Sequence, residues 1–430
     1  MSSMILSRTN QQRALVALTQ VLGLSVWFSA TAVVPNLRAE WGIGSTAAVW
    51  LTASVQIGFV AGAVTSAVFN LADRTPPQQL LATSALCAAT CTAVLALFVN
   101  SLAAAIPLRF LTGMFLAGVY PVGMKLMASW SESTHRGRMF GILLGALTLG
   151  SALPHLITGL GPLPWRTVML AAAALTATGA GAALALVRPG PHLEIQVITP
   201  NPRYAIAIFA QRGPRLVSLG YFGHMWELYA LWTWLAMFVA ASRAERGDAA
   251  ASSTGLIAFV AIGIAGTAGC LLGGWASDRF GRPPAAVAAL LISGTCCVTS
   301  PLFFAAPTAV LIVFLLVWGA AVIADSGVFS TSLSETTDPR FVGTALTAQT
   351  AIGFLLTVVT IQLVPLVADL IGWQYAFLVL APGPLIGAAA MSALPAPNHH
   401  PHPKEESHDQ QLSAHHPVRG PDRGALAHRW

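Results

Sequence analysis

The chain has 430 residues, of which 55% are hydrophobic and 9% charged, with a mean hydropathy of +0.69 and a formal net charge of +6. A soluble domain carries about 25% charged residues, so a soluble enzyme, a disordered scaffold and a coiled coil are all excluded as readings. The 22 Lys and Arg are scattered along the chain rather than gathered in a patch. That argues against a nucleic-acid partner and for the charge bias of an integral membrane protein.

The N-terminus opens like a signal peptide, with Arg8 and Arg13 ahead of an apolar run and Ala30-Thr31-Ala32 as a cleavage-like triplet. The run continues to Val34, long enough to span, and is read as an uncleaved first helix. Apolar runs of about 20 residues then predict twelve spans. They lie near 14–35, 46–68, 80–99, 104–128, 139–160 and 166–187, and near 215–240, 255–276, 284–304, 308–331, 343–367 and 374–394. The expected organisation is a short N-terminal segment (1–13), a six-helix bundle (14–187), a central loop (188–214), a second six-helix bundle (215–394) and a tail (395–430).

Charge in the short connections orients these spans. With the N-terminus cytoplasmic, twelve Lys and Arg lie inside, among them Arg74, Arg279 and Arg282, against Arg38, Arg166, Arg243 and Arg246 outside. Positive residues favour the cytoplasmic side, so both termini are expected there. Seven of the eleven histidines sit in the Pro- and Gln-containing tail, which reads as disordered and solvated rather than as a metal site. The five cysteines lie in apolar stretches and read as small buried hydrophobes.

The two halves echo each other. Asp73-Arg74 follows the second span, and Gly274-Trp-Ala-Ser-Asp278-Arg279-Phe-Gly281-Arg282 follows the eighth. Glu132, Arg138 and Gly141 after the fourth span are matched by Glu335, Arg340 and Gly343 after the tenth. Internal repetition of this kind is a common plan among secondary transporters.

On these residues the chain resembles the major facilitator superfamily. Residues 274–282 match its loop motif at every key position, whereas the first copy keeps Asp73 and Arg74 but has Pro76 and Pro77 where Gly and Arg are expected. Arg109, Gly113 and Gly118 on the fourth span, and Gly141, Gly145, Gly150 and Pro154 on the fifth, add to the resemblance. It implies an all-α fold of two six-helix bundles related by a pseudo-twofold axis, a small-molecule substrate moved by alternating access, and loops that gate the exchange. It also associates Arg109 with proton coupling. From physics alone, an Asp at such a turn can accept from a facing helix N-terminus or from Arg136 or Arg340, in one domain arrangement and not the other.

Four formally charged residues fall inside predicted spans: Arg109, Lys125, Glu227 and Asp325. Charge near the bilayer centre is costly, so each should be paired or face a water-filled path. Glu227 and His224 lie three residues apart on one helical face, a candidate proton carrier, within an aromatic stretch that includes Trp226. Trp234 and Phe238 read as interfacial belt residues. Arg109 shares a face with Gly113 and Tyr120, either as a coupling residue or as the fixed partner of a carbonyl or carboxylate. Lys125 either snorkels to headgroups or lines an inner vestibule where Tyr120-Pro121 unwinds. Asp325 interrupts the tenth span near the position equivalent to Gly123, which suggests an Asp325–Lys125 pair across the halves as a gate.

The reading that follows is a proton-coupled transporter of a small organic solute in the cytoplasmic membrane, acting as a monomer without a cofactor. No Arg or Lys occupies the second and eighth spans, which counts against nitrate, and the loop motifs of the sugar-porter branch are missing. A receptor or scaffold on the same fold is the alternative. HExxH, GxSxG and phosphate-loop motifs are absent from the sequence, so no enzyme is expected.

Overall fold

The computed structural model describes residues 2–131, 136–193, 207–247, 251–338 and 341–394, with the backbone alone at 2–7, 136, 137 and 251–253. Glu132, Arg340, the tail 395–430 and the side chain of Arg136 therefore lie outside what is described. The described residues are helical, without a strand among them.

Twelve helical passages follow one another: α1 (Ser2–Gly23), α2 (Ser45–Phe69), α3 (Pro77–Phe98), α4 (Leu102–Ser129), α5 (Arg138–Gly159) and α6 (Trp165–Leu186), then α7 (Arg212–Glu245), α8 (Thr254–Phe280), α9 (Arg282–Phe304), α10 (Thr308–Thr336), α11 (Val342–Ile371) and α12 (Trp373–Ser392). Ten of them are long and apolar enough to cross a membrane; α1 and α7 are not. The reason lies in the sequence: α1 begins with Arg8, Asn10, Gln11, Gln12 and Arg13, and α7 carries His224, Glu227 and a run of Trp and Tyr.

The first passage also breaks earlier than its apolar run suggests. It stops at Gly23, turns through Leu24–Phe28 and resumes as the short helices Ser29–Ala32 and Val34–Trp41. In hydrocarbon the freed carbonyls need partners inside the protein, and α4 supplies one, as described below. α4 breaks at Ala117–Val119, just before Tyr120-Pro121, where proline removes an N–H from the ladder. α10 breaks at Asp325, at the expected place. In α8 the segment Val260–Ala265 is π-helical.

The two halves repeat each other in packing. Within the first, α2 lies on α4, α3 on α6 and α1 on α6; within the second, α8 lies on α10, α9 on α12 and α7 on α12. Close approach needs small residues at the crossings. A Cβ on Gly113 would stand 2.0 Å from the Val55 carbonyl oxygen, and one on Gly269 would stand 2.0 Å from that of Ala320. The halves meet where α5 faces α8 and where α2 faces α11.

The loop copies turn differently. Gly281 closes α8 at φ +92°, a conformation side-chain-bearing residues rarely adopt, while the first copy reverses at Asn70 with φ +51°. Asn tolerates that left-handed region, which is how the first copy turns without the motif's glycine. Three expectations are corrected. Trp234 and Phe238 are buried rather than belt residues, with the Trp234 Nε1–H donating to the Ile361 carbonyl at 2.8 Å. Cys87 is exposed on α3 rather than packed inside.

Candidate functional site: a cavity between the halves

A cavity of about 580 Å³ lies between the two halves. Its walls come from α2 (Phe59, Ala63), α4 (Tyr120, Met124), α5 (Leu144, Leu147), α7 (Tyr221, His224), α10 (Ile323, Ser326) and α11 (Thr347, Phe354). It reaches Asn70 and Asp73 in the first signature turn and Gly343 at the start of α11. It is therefore open toward the end of the molecule that carries those turns.

The other end is closed by packed rings. Trp27, Phe28 and Phe59 of the first half meet Tyr229, Trp232 and Phe354 of the second. Ring centroids are 4.4 Å apart for Phe59–Phe354, 5.9 Å for Trp27–Tyr229 and Trp27–Phe354, and 5.8 Å for Phe28–Trp232. All six rings are at least nine-tenths buried. Beyond this plug, Ser45 donates to an Asp369 carboxylate oxygen at 3.0 Å, tying the start of α2 to the end of α11. The facing α5–α8 seam is closely packed at two levels: Thr267 donates to the Gly145 carbonyl at 3.0 Å, and a Cβ on Gly255 would stand 2.7 Å from the His155 carbonyl oxygen.

His224 places its imidazole in the cavity wall, on α7 beside Tyr221. Its Nδ1 lies 2.8 Å from Asp325 Oδ1 and its Nε2 2.8 Å from Ser326 Oγ. Both acid and imidazole are buried. The Nδ1 contact is an ion-pair distance without hydrogen-bond alignment, so Oδ1 is left without a hydrogen bond. Tyr221 and Phe329 flank the ring.

Glu227, one turn along, does not share this cavity. Its carboxylate turns into the second bundle, accepting from Ser293 Oγ, from Trp318 Nε1 at 2.5 Å and from Cys297 Sγ at 3.2 Å. The spacing argument placed it beside His224, and a helix of 3.6 residues per turn leaves that pair diverging by about 60°, enough for the two side chains to face different neighbours. Trp226 points to α12, its Nε1–H donating to the Val379 carbonyl at 3.0 Å.

Arg109 is fully buried within the first half. It donates to the carbonyls of Leu51 (3.1 Å), Val26 (3.1 Å) and Trp27 (2.5 Å) and to Ser29 Oγ at 3.4 Å. Between the two readings left open by the sequence, its partners are carbonyls: it caps the broken stretch of α1. Tyr120, predicted on the same face, lines the cavity.

The expected Asp325–Lys125 pair is not formed. Lys125 Nζ lies 2.5 Å from Asp73 Oδ1 and 2.7 Å from the Ala72 carbonyl, within the first half. Sixteen residues after Arg109, it has reached the helix end where the Asp73 turn lies closest, and His224 occupies the place beside Asp325. In the second half Arg282 pairs with Glu335, so each signature turn is tied to the passage two helices on: α4 for Asp73 and α10 for Arg282. Gly274, one turn after Cys270, lines a small cleft opposite Gly141 at the α5–α8 seam. Arg74 is exposed and Gly281 makes the turn itself. Asp278 and Arg279 lie in the last turn of α8.

The aromatic plug was the feature sequence reading missed. Tyr229 and Trp232 lie in the aromatic run of α7, but Trp27-Phe28, Phe59 and Phe354 come from three distant stretches. Gln56 shares the α2 face of Phe59, three residues on. Both of its amide atoms, and the Nε1 of Trp27 and of Trp232, are buried without a hydrogen-bond partner among the described residues. No cluster of three or more His, Cys, Asp or Glu able to hold a metal occurs among the described residues.

The sequence profile of the Major Facilitator Superfamily matches residues 16–359 and again 217–428. The chain belongs to that superfamily. The second match begins in the second half, in keeping with the repeated packing. Two solved structures of the Escherichia coli xylose transporter XylE share the fold at 14% identity. One, described as a partially occluded inward-open conformation, has a TM-score of 0.67 and covers 90% of this chain and 98% of that one. The other, described as the proton:xylose symporter bound to 6-bromo-6-deoxy-D-glucose, also has a TM-score of 0.67, with 91% and 96% covered. A Bacillus subtilis (strain 168) protein provisionally named as the niacin/nicotinamide transporter NiaP is 30% identical over 126 residues, 29% of this chain and 31% of that protein. The chain is thus a multi-pass membrane protein of a secondary-transporter family, built as two six-helix bundles.

Proposed function

We propose that the protein moves a small organic solute across the cytoplasmic membrane by alternating access, with both termini in the cytoplasm. The observation that carries this reading is the cavity: open at the end of the signature turns, closed at the other by rings from both halves. A binding space at the repeat interface with one closed side is one state of a rocking carrier. The positive-inside count assigns the open end to the cytoplasm.

We further propose coupling to protons through His224 and Asp325, with Glu227 as a second acid deeper in the same bundle. Histidine is the side chain whose ordinary titration falls near neutrality, and this one lies in the cavity wall with a carboxylate behind it. That the structurally similar XylE is described as a proton symporter supports this reading by analogy. The test is solute flux in proteoliposomes under an imposed pH gradient. Wild-type flux should follow the gradient, while His224→Gln and Asp325→Asn should carry solute exchange that ignores it. Indifference of the wild type to the gradient would remove the coupling.

A further inference from the structure

We propose that the cavity takes an apolar, ring-bearing organic cation and rejects organic anions of the same shape. The inference rests on the transport reading and adds the sign of the cargo's charge.

Consider first the positive groups that suggest an anion. Arg109 is walled off in the first bundle, its guanidinium spent on three backbone carbonyls and a hydroxyl. Lys125 is neutralised by Asp73 at 2.5 Å. Arg282 is paired with Glu335, and Arg74 and Arg138 are exposed at the helix ends. Among the described residues, no unpaired cation is left to meet an anion in the cavity wall. An ion entering a low-dielectric space without a partner pays its desolvation uncompensated.

The negative side is different. Asp325 sits one imidazole deep behind His224, with an oxygen that lacks a hydrogen bond. With the carboxylate ionised, the pair carries a net charge of −1 with neutral imidazole and zero with imidazolium. Every other titratable group near it can only add negative charge: Glu227 and Tyr221 from α7, Cys270 from α8 and Tyr120 from α4. The remaining wall includes the rings of Phe59, Tyr120, Tyr221, Tyr229 and Phe354. Aromatic faces attract cations and repel anions. At about 580 Å³, the space holds a two-ring molecule with room to turn.

The experiment uses three planar bicyclic probes that differ in charge: 1-methylquinolinium, quinoline and quinoline-3-carboxylate. Binding to the purified full-length protein at neutral pH is read from quenching of tryptophan emission. The cation should bind at least about tenfold tighter than the carboxylate, with quinoline between them. Asp325→Asn should bring the three within about threefold of one another, while Asp325→Glu, which keeps the charge, retains the order even if the Asn variant folds poorly. A carboxylate that binds as tightly as the cation, a cation that does not bind, or a preference unchanged in Asp325→Asn each overturns the proposal. Counterflow of the probes in proteoliposomes separates the two readings. Exchange of the carboxylate but not the cation would sink the charge assignment and leave transport standing, whereas a protein that exchanges no solute would sink transport itself.

Discussion

Arg109 and Gln56 show opposite uses of a polar side chain in a buried place. Arg109 satisfies two carbonyls that the break in α1 releases, those of Val26 and Trp27, and a third from Leu51 in α2. Each buried polar group left unpaired costs about 1–3 kcal/mol, so Arg109→Met should destabilise the fold by several times RT, about 2–5 kcal/mol. That is read as a lower melting temperature in detergent, with Arg109→Lys recovering part of it. If Arg109→Met melted like the wild type and lost only its response to a pH gradient, the residue would be a coupling group instead. Gln56 should behave the other way. Its amide is buried without a partner among the described residues, so Gln56→Leu should raise stability by about 1 kcal/mol. If the amide serves cargo as the plug parts, the same substitution should slow transport. A variant both less stable and fully active would contradict this account. Arg109 stood out in the sequence as a charge inside a span, but what it and Gln56 touch did not, because a helix position says nothing of which neighbouring backbone has been freed.

Helices and turns were more legible than contacts. The breaks between passages contain Gly, Pro, Asn or charge, and the interruption of α10 at Asp325 was visible as a polar residue in an apolar run. The early end of α1 was not, since Leu24–Phe28 is as apolar as the helix before it; only the tertiary partner at Arg109 makes the break affordable. Partners across helices were misjudged for the same reason. Lys125 and Asp325 are opposite in sign, yet each found a nearer partner on its own side. At this scale Gly281→Val should cost about 1–3 kcal/mol, because φ +92° is strained for a branched side chain; Asn70→Gly in the first copy should be close to neutral. At the other end of the molecule, Glu40 is held below the usual carboxylate range by Arg166 and then by the Trp165 N–H. A lowered folded-state value means this contact stabilises above about pH 4.5 and fades as pH falls below it. The melting difference between wild type and Glu40→Gln should therefore be present at neutral pH and vanish in acid. A difference that grew on acidification would contradict the assignment.

For the whole molecule, the repeat was written in the sequence while the state was not. Two signature turns pointed to two bundles and the four-to-twelve charge asymmetry to their orientation, but which side of the cavity is shut depends on rings brought together from four separate stretches. The Ser45–Asp369 contact and the plug both belong to the closed side. Replacing Ser45 and Asp369 by cysteines and oxidising them should stop solute exchange, and reduction should restore it. Exchange that persists through a formed cross-link would mean that α2 and α11 need not separate there.

The plug has a further consequence for the kind of flux this protein supports. Its six rings come equally from the two bundles, so no side-chain flip within one bundle opens a hole; the bundles themselves must part. Such rigid-body motion takes microseconds to milliseconds, and under the proposed alternating access it exchanges one closed side for the other. Flux through this molecule is therefore counted in cycles. It should saturate with cargo, carry no unitary current steps in a planar bilayer, and become leaky only when a ring such as Trp27 is cut back to alanine.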